Sequence, residues 1–91
     1  MRFSWDPRKA ESNVRKHGVT FEEATTVFAD PLAMVITDAI HAGRTLIIGE
    51  SIGRRVLLTV FVERHEGQIR IISARRATNH ERRNYERRQE E

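Results

Sequence analysis

Arginine side chains crowd the C-terminal part of the sequence, in the stretch RIISARRATNHERRNYERR at residues 70–88. Apolar residues nearly stop after Ala74, and from there Ala77 and Tyr85 are the main residues that suit a core. A planar guanidinium with five fixed N–H donors matches phosphate oxygens better than the ammonium of lysine does. The pattern is therefore well suited to phosphate. The arginines that follow Ala74 are Arg75, Arg76, Arg82, Arg83, Arg87 and Arg88.

The positive charge is local. Residues 1–53 contain six Lys/Arg and seven Asp/Glu, whereas residues 54–88 contain ten Arg and four Glu, a net charge of +6. Fourteen of the sixteen basic residues in the chain are arginine. Solvated arginine-rich helices are common, so composition alone leaves open whether these side chains bind a ligand or only cover a surface.

The length of 91 residues suits one domain with a modest core, so residues 1–91 are predicted to form a single domain. No stretch approaches the ~20 apolar residues of a membrane span, and the N-terminal segment lacks the apolar run of a signal peptide. The sequence contains no cysteine and so needs no oxidising compartment. We expect a cytoplasmic protein that makes no membrane contact.

The first half of the sequence predicts a short strand followed by two helices. The apolar residues of FSW suit a strand at residues 3–5. Asp6 is placed as an N-cap before a proline and Gly18 as a C-terminal stop, which predicts a helix over about residues 7–17. Thr20 and Glu23 form a capping box for a second helix, which ends at the Asp-Pro pair of residues 30–31.

The second half predicts strands and a last helix. Period-two patterns and short apolar runs predict strands at residues 33–37, 45–50, 55–64 and 68–75, joined by glycine-containing turns. A capping box of Thr78 and Glu81 opens a terminal helix over about residues 79–89. The predicted class is α+β: a short strand and two helices, then an antiparallel sheet and a C-terminal helix.

Two segments carry a family resemblance, FSWDPRKAESNVRKHGVTFEEATTVFADP and RIISARRATNHERRNYE. They closely resemble the BrnT family of bacterial toxins, the toxin halves of type II toxin-antitoxin pairs. The resemblance implies a RelE-like fold, cleavage of RNA that blocks translation, and neutralisation by a cognate BrnA-like antitoxin. Such an antitoxin usually has a ribbon-helix-helix part, through which the complex binds its operon DNA. The sequence departs from the family in HAGRT, where Gly43 replaces an expected acidic residue.

RNA cleavage by attack of the 2′-OH on the adjacent phosphate needs a proton acceptor, stabilisation of the anionic phosphorane and a proton donor. It requires no metal ion or cofactor, and we expect none. Arg64 and Arg75 each end a predicted strand, so they would grip one phosphate from two directions if both lie on the same side. The alternative is that either arginine caps its strand in a salt bridge, for instance with Glu63 or Glu81.

Further candidates lie on the helices. Lys16 and His17 end the first helix, where Lys16 would contact phosphate and His17 would move a proton near neutral pH. A cation is also favoured there by the helix dipole alone, and a histidine just before a C-cap glycine is as often a packing residue. Tyr85 would bond a phosphate or stack on a base, or else anchor a helix that has no other large apolar residue. Arg76, Arg82 and Arg83 are the predicted RNA-binding residues.

Metal binding is not indicated, because the remaining histidines, His41, His65 and His80, share no ligand-like spacing. Two functions other than cleavage stay open. The protein could bind RNA through its basic end without cutting it, or its arginines could dock an acidic protein partner.

Overall fold

The computed structural model describes residues 1–89, which form five strands, three α-helices and one 3-10 turn. The 3-10 turn spans Thr26–Ala29 and directly continues the second helix. The class is α+β, as predicted. In chain order the elements are β1 (Arg2–Ser4), α1 (Pro7–His17), α2 (Phe21–Thr25), β2 (Met34–Thr37), β3 (Thr45–Glu50), β4 (Val56–His65), β5 (Gln68–Arg76) and α3 (Asn79–Arg88).

All five strands form one sheet in the order β1-β5-β4-β3-β2. The strands from β2 to β5 pair antiparallel in chain order, whereas β1 joins the edge parallel to β5. The antiparallel pairing predicted for the later strands is present from β2 to β5, and the parallel β1 makes the sheet mixed. β1 can be parallel because α1 and α2 separate it from the other strands in the chain. It pairs with β5, which runs in the same direction, and has no hairpin neighbour.

The α1 and α2 side of the sheet carries the main core. Phe21, Val27, Leu57 and Ile71 are fully buried there, and aromatic rings from β1 and the 3-10 turn pack around them. Asn13 ties α1 to the sheet, because its amide nitrogen donates to the carbonyl oxygens of Val19 (2.9 Å) and Ala74 (2.7 Å). Its oxygen accepts from the Ala74 N–H at 3.1 Å. The C-terminal end of α1 thus lies where β5 ends.

The opposite side of the sheet is covered by α3. Tyr85, the single large apolar residue of α3, packs against Ile48 and Leu58. The hydroxyl of Thr78 caps the helix by accepting from the Glu81 N–H, and the Glu81 carboxylate accepts from the Thr78 N–H at 2.8 Å. The capping box predicted for α3 is confirmed.

The capping box predicted for α2 is only half formed. The Thr20 hydroxyl accepts from the Glu23 N–H at 3.0 Å, but the Glu23 carboxylate points to the 51–55 turn between β3 and β4.

Within residues 1–89, no helix is long and apolar enough to cross a membrane.

Gly43 has a backbone φ of +82°, in the left-handed region that disfavours side chains, so the tight turn between β2 and β3 explains glycine at this position.

Candidate functional site

A polar groove of about 310 Å³ opens at the end of the sheet where β3 and β5 finish and β4 begins. Three separate segments build it: the 51–55 turn with the adjoining strand ends, the end of β5, and the groove-facing side of α3. Its lining residues are Glu50, Arg54, Arg55, Val56, Arg76, Ala77, Arg82 and Glu86. Four guanidinium groups and two carboxylates therefore face one small space.

Three of these guanidinium groups are available to a ligand. Among the residues that the structure describes, Arg54, Arg76 and Arg82 form no ion pair. Arg55 is instead held by Glu23: its Nε donates to Glu23 Oε2 at 3.0 Å, and its Nη2 donates to Glu23 Oε1. The hydrogen bonds from Arg55 lower the pKa of Glu23, in spite of the partial burial of this carboxyl. The groove consequently keeps a positive surplus.

Arg75 lies outside the groove. Neighbouring residues of a strand point to opposite faces, and whereas Arg76 lines the groove, Arg75 points the other way, level with Leu58, and meets Glu81 in the first turn of α3. Its two terminal nitrogens donate to the two carboxylate oxygens of Glu81 at 2.8 and 3.0 Å. These bonds hold the pKa of Glu81 at about 2, well below its ordinary value of 4.5. The salt bridge considered as the alternative for Arg75 is thus present.

Arg64 and Arg75 cannot grip one phosphate. β4 and β5 are antiparallel, and Arg75 pairs with Leu58, six residues before Arg64. At about 3.3 Å per residue the two arginines are roughly 20 Å apart. The condition for a shared phosphate, that both arginines lie on the same side, is therefore not met, because consecutive strands of a hairpin finish at opposite ends of the sheet.

Lys16 and His17 lie at the same edge of the sheet as the groove without lining it. Both are exposed in the last turn of α1, and the carbonyl oxygen of the next residue, Gly18, accepts from Arg55 at 3.3 Å. The end of α1 that carries these two candidates is therefore joined to Arg55, one of the groove residues, through Gly18.

Tyr85 occupies the anchoring position rather than an exposed one. It is 4% exposed, and its hydroxyl donates to Asp30 Oδ2. Burial and this hydrogen bond raise the pKa of Tyr85 to about 12. With its ring enclosed, Tyr85 cannot stack on a base in this conformation. Of the predicted RNA-binding arginines on α3, Arg82 lines the groove, whereas Arg83 is exposed outside it.

The sequence reasoning missed the contribution of the 51–55 turn. No functional role is predicted for these residues: Arg54, Arg55 and Glu50 contribute to the charge counts, and Arg55 and Glu50 fall in the predicted strands at residues 55–64 and 45–50. The Gly53-Arg54-Arg55 run was a usable signal, since a turn that carries two cations presents them at a sheet edge.

Comparison with known proteins identifies the family. The family model described as the ribonuclease toxin BrnT of type II toxin-antitoxin systems matches residues 5–81, which include Arg54 and Arg76. The chain belongs to the BrnT family. BrnT membership makes it a ribonuclease toxin of a type II toxin-antitoxin system, which implies an RNA target and an antitoxin partner.

A solved BrnT structure supports the same assignment. The ribonuclease toxin BrnT of Brucella abortus superposes on this chain with a TM-score of 0.72 at 27% sequence identity. The match covers 87% of this chain and 99% of the Brucella chain. No curated protein matches the sequence.

Proposed function

We propose that this BrnT chain is a metal-independent endoribonuclease whose scissile phosphate is held by Arg76 and Arg82, in the groove that Arg54 also lines. The observation that carries the proposal is the convergence of three guanidinium groups, none of them in an ion pair within residues 1–89, on one groove. Guanidinium groups aimed at a phosphate stabilise the extra negative charge of the phosphorane, which is the main electrostatic demand of the reaction.

The proton transfers fall to groups in or beside the groove. Glu50 and Glu86 line it and are our candidates to accept the 2′-OH proton as its oxygen attacks the phosphorus. His17, at the adjoining end of α1, is our candidate to protonate the leaving 5′-oxygen, and Lys16 to contact a neighbouring phosphate. The products are a 2′,3′-cyclic phosphate and a free 5′-hydroxyl.

Cleavage of RNA in EDTA tests the chemistry. The purified protein is expected to cut RNA, and a 2′-deoxy sugar at the cut position should block the reaction because it lacks the attacking hydroxyl. Arg76→Gln and Arg82→Gln should each lower the rate by at least tenfold. Arg8→Gln is the matched control, because it removes the same charge at the start of α1, the end of the helix away from Lys16 and His17. It should retain the wild-type rate.

Two results would overturn the proposal. One is intact RNA at high enzyme excess, with and without ribosomes, which would leave a non-catalytic RNA binder. The other is loss of cleavage in Arg64→Gln together with retention in Arg76→Gln, which would move the site to the hairpin between β4 and β5.

We further propose that cleavage inhibits translation and arrests growth, and that a BrnA-like antitoxin with a ribbon-helix-helix part covers the groove. A partner that buries net +6 in residues 54–88 must bring carboxylates, because an unpaired buried charge is strongly destabilising. Tyr85 is already buried, so the anchors of this interface must come from other residues. Co-expression with the adjacent gene should rescue growth and give a complex that binds the operon DNA. Separate elution without rescue would contradict this pairing.

A further inference from the structure

The 51–55 turn holds Arg54 in an unusual backbone conformation. Arg54 has a φ of 61°, and it is the one residue other than glycine with a positive φ within residues 1–89. The left-handed region is costly for a residue with a side chain and persists only where the surrounding structure imposes it. Two backbone hydrogen bonds close the turn, from Arg54 N–H to the Ser51 oxygen (2.9 Å) and from Ser51 N–H to the Arg55 oxygen (2.8 Å).

The Glu23 carboxylate of α2 supports this turn from below. Its Oε2 accepts from the Ser51 hydroxyl at 2.6 Å and from Arg55 Nε at 3.0 Å. The hydroxyl oxygen of Ser51 in turn accepts from the backbone N–H groups of Gly53 (3.2 Å) and Arg55 (3.4 Å). A Cβ at position 53 would come within 2.9 Å of Glu23 Oε2, so a side chain there would push the carboxylate from this position. The Glu23 carboxylate thereby joins the two ends of the turn, Ser51 and Arg55.

The support separates the roles of two adjacent arginines. Glu23 neutralises Arg55, which also donates to the Gly18 carbonyl, so the role of Arg55 is structural. Arg54 has no ion-pair partner among the described residues, and it faces the groove with Arg76 and Arg82. A sequence that needed only the turn would place glycine or asparagine at position 54, because both adopt a positive φ more readily.

We propose that Arg54 contacts an RNA phosphate next to the scissile one, and that Glu23 is the positioning residue that holds Arg54 in place through Ser51 and Arg55. The proposal rests on the proposed function of the groove. It assigns RNA-backbone binding to a turn that approaches the groove from the side opposite α3.

Arg54→Gly tests the contact, since it removes the guanidinium while relieving the backbone strain. We expect an unchanged or higher melting temperature, a KM for RNA raised about tenfold, and a kcat within threefold of wild type. The slope of log Kd against log salt concentration for an RNA oligonucleotide should become shallower by the contribution of about one phosphate contact. An unchanged KM and an unchanged salt slope would overturn the role of Arg54.

Glu23→Gln and Ser51→Ala test the positioning. Each is expected to raise KM like Arg54→Gly, whereas the double variants with Arg54→Gly should be no worse than Arg54→Gly alone. Such non-additivity is the signature of residues that act through one group, and a purely structural defect would add to the Arg54 loss instead. Additive losses in both double variants would overturn the proposal. Ser51→Ala leaves all charges in place, so it decides the matter if Glu23→Gln does not fold.

The binding measurement separates this inference from the proposed function. It needs no cleavage, so a chain that binds RNA with an Arg54-dependent salt slope but cuts nothing would refute the nuclease chemistry and retain the Arg54 contact. Cleavage that is unaffected by Arg54→Gly would refute the Arg54 contact and retain the nuclease chemistry.

Discussion

The ion pair between Arg75 and Glu81 gives a sharp test of how α3 is held on the sheet. We consider Glu81→Gln, which removes the charge but keeps a side-chain oxygen that can accept from the Thr78 N–H. Glutamine serves in a capping box as glutamate does, so the cap is retained. The variant therefore isolates the electrostatic contribution of the pair with Arg75.

The size of the effect follows from the pKa of Glu81. A fall from 4.5 to about 2 corresponds to about 3 kcal/mol of stabilisation, at about 1.4 kcal/mol for each pKa unit. The Arg75 side chain is 37% exposed, so solvent screening reduces the contribution. We expect Glu81→Gln to lower the free energy of unfolding by about 1–2 kcal/mol at pH 7.

The pH dependence has a definite sign. Because the pKa of Glu81 is lower in the folded state, the stabilisation is complete above the unfolded value of about 4.5 and is lost as the pH falls toward about 2. The gap in unfolding free energy between wild type and Glu81→Gln should therefore narrow by about 1 kcal/mol between pH 7 and pH 3.5.

Urea unfolding at the two pH values provides the measurement. Glu81→Ala is the matched variant, since it also removes the cap and should cost about 1 kcal/mol more than Glu81→Gln. A gap that stays constant from pH 7 to pH 3.5, or equal losses for the Gln and Ala variants, would refute the reasoning.

Three further predictions follow from buried polar groups. Tyr85 is the single tyrosine, so phenolate absorbance should titrate near pH 12 in the folded protein, and a midpoint near 10 would contradict the bond to Asp30. Asn13→Ala should lower the free energy of unfolding by about 2–4 kcal/mol in urea, because buried backbone groups lose their partners. Thr59→Val should leave the free energy of unfolding unchanged or raise it by about 1 kcal/mol, since the fully buried hydroxyl has no hydrogen-bond partner within residues 1–89. A decrease of more than about 1 kcal/mol would show that the hydroxyl has a partner.

Local signals in the sequence were sufficient for most of the elements. The proline and capping residues around α1 predicted its bounds of Pro7–His17, and Thr78 with Glu81 predicted the start of α3. These signals work because a helix end must satisfy its free N–H groups within a few residues of chain. The family resemblance was also a matter of sequence, and the match over residues 5–81 confirms it.

Partner choice depended on the tertiary structure. Glu23 lies at the position of a capping-box residue, three residues after Thr20. Its carboxylate nevertheless accepts hydrogen bonds from Ser51 and Arg55, which lie 28 and 32 residues away. Arg75 and Arg76 are neighbours in the chain, but the strand sends one to Glu81 and the other to the groove. Composition cannot separate them, because the alternation of a strand and the packing of α3 decide which guanidinium is neutralised.

The groove itself is a product of strand order. The sequence determined that many arginines lie in residues 54–88, but Arg64 and Arg76 sit at opposite ends of an antiparallel pair. The antiparallel pairing brings the end of β3 and the start of β4 beside the end of β5, and α3 then folds back over this edge. Which cations meet is therefore set by the direction of the strands, a non-local property that spacing along the chain does not contain.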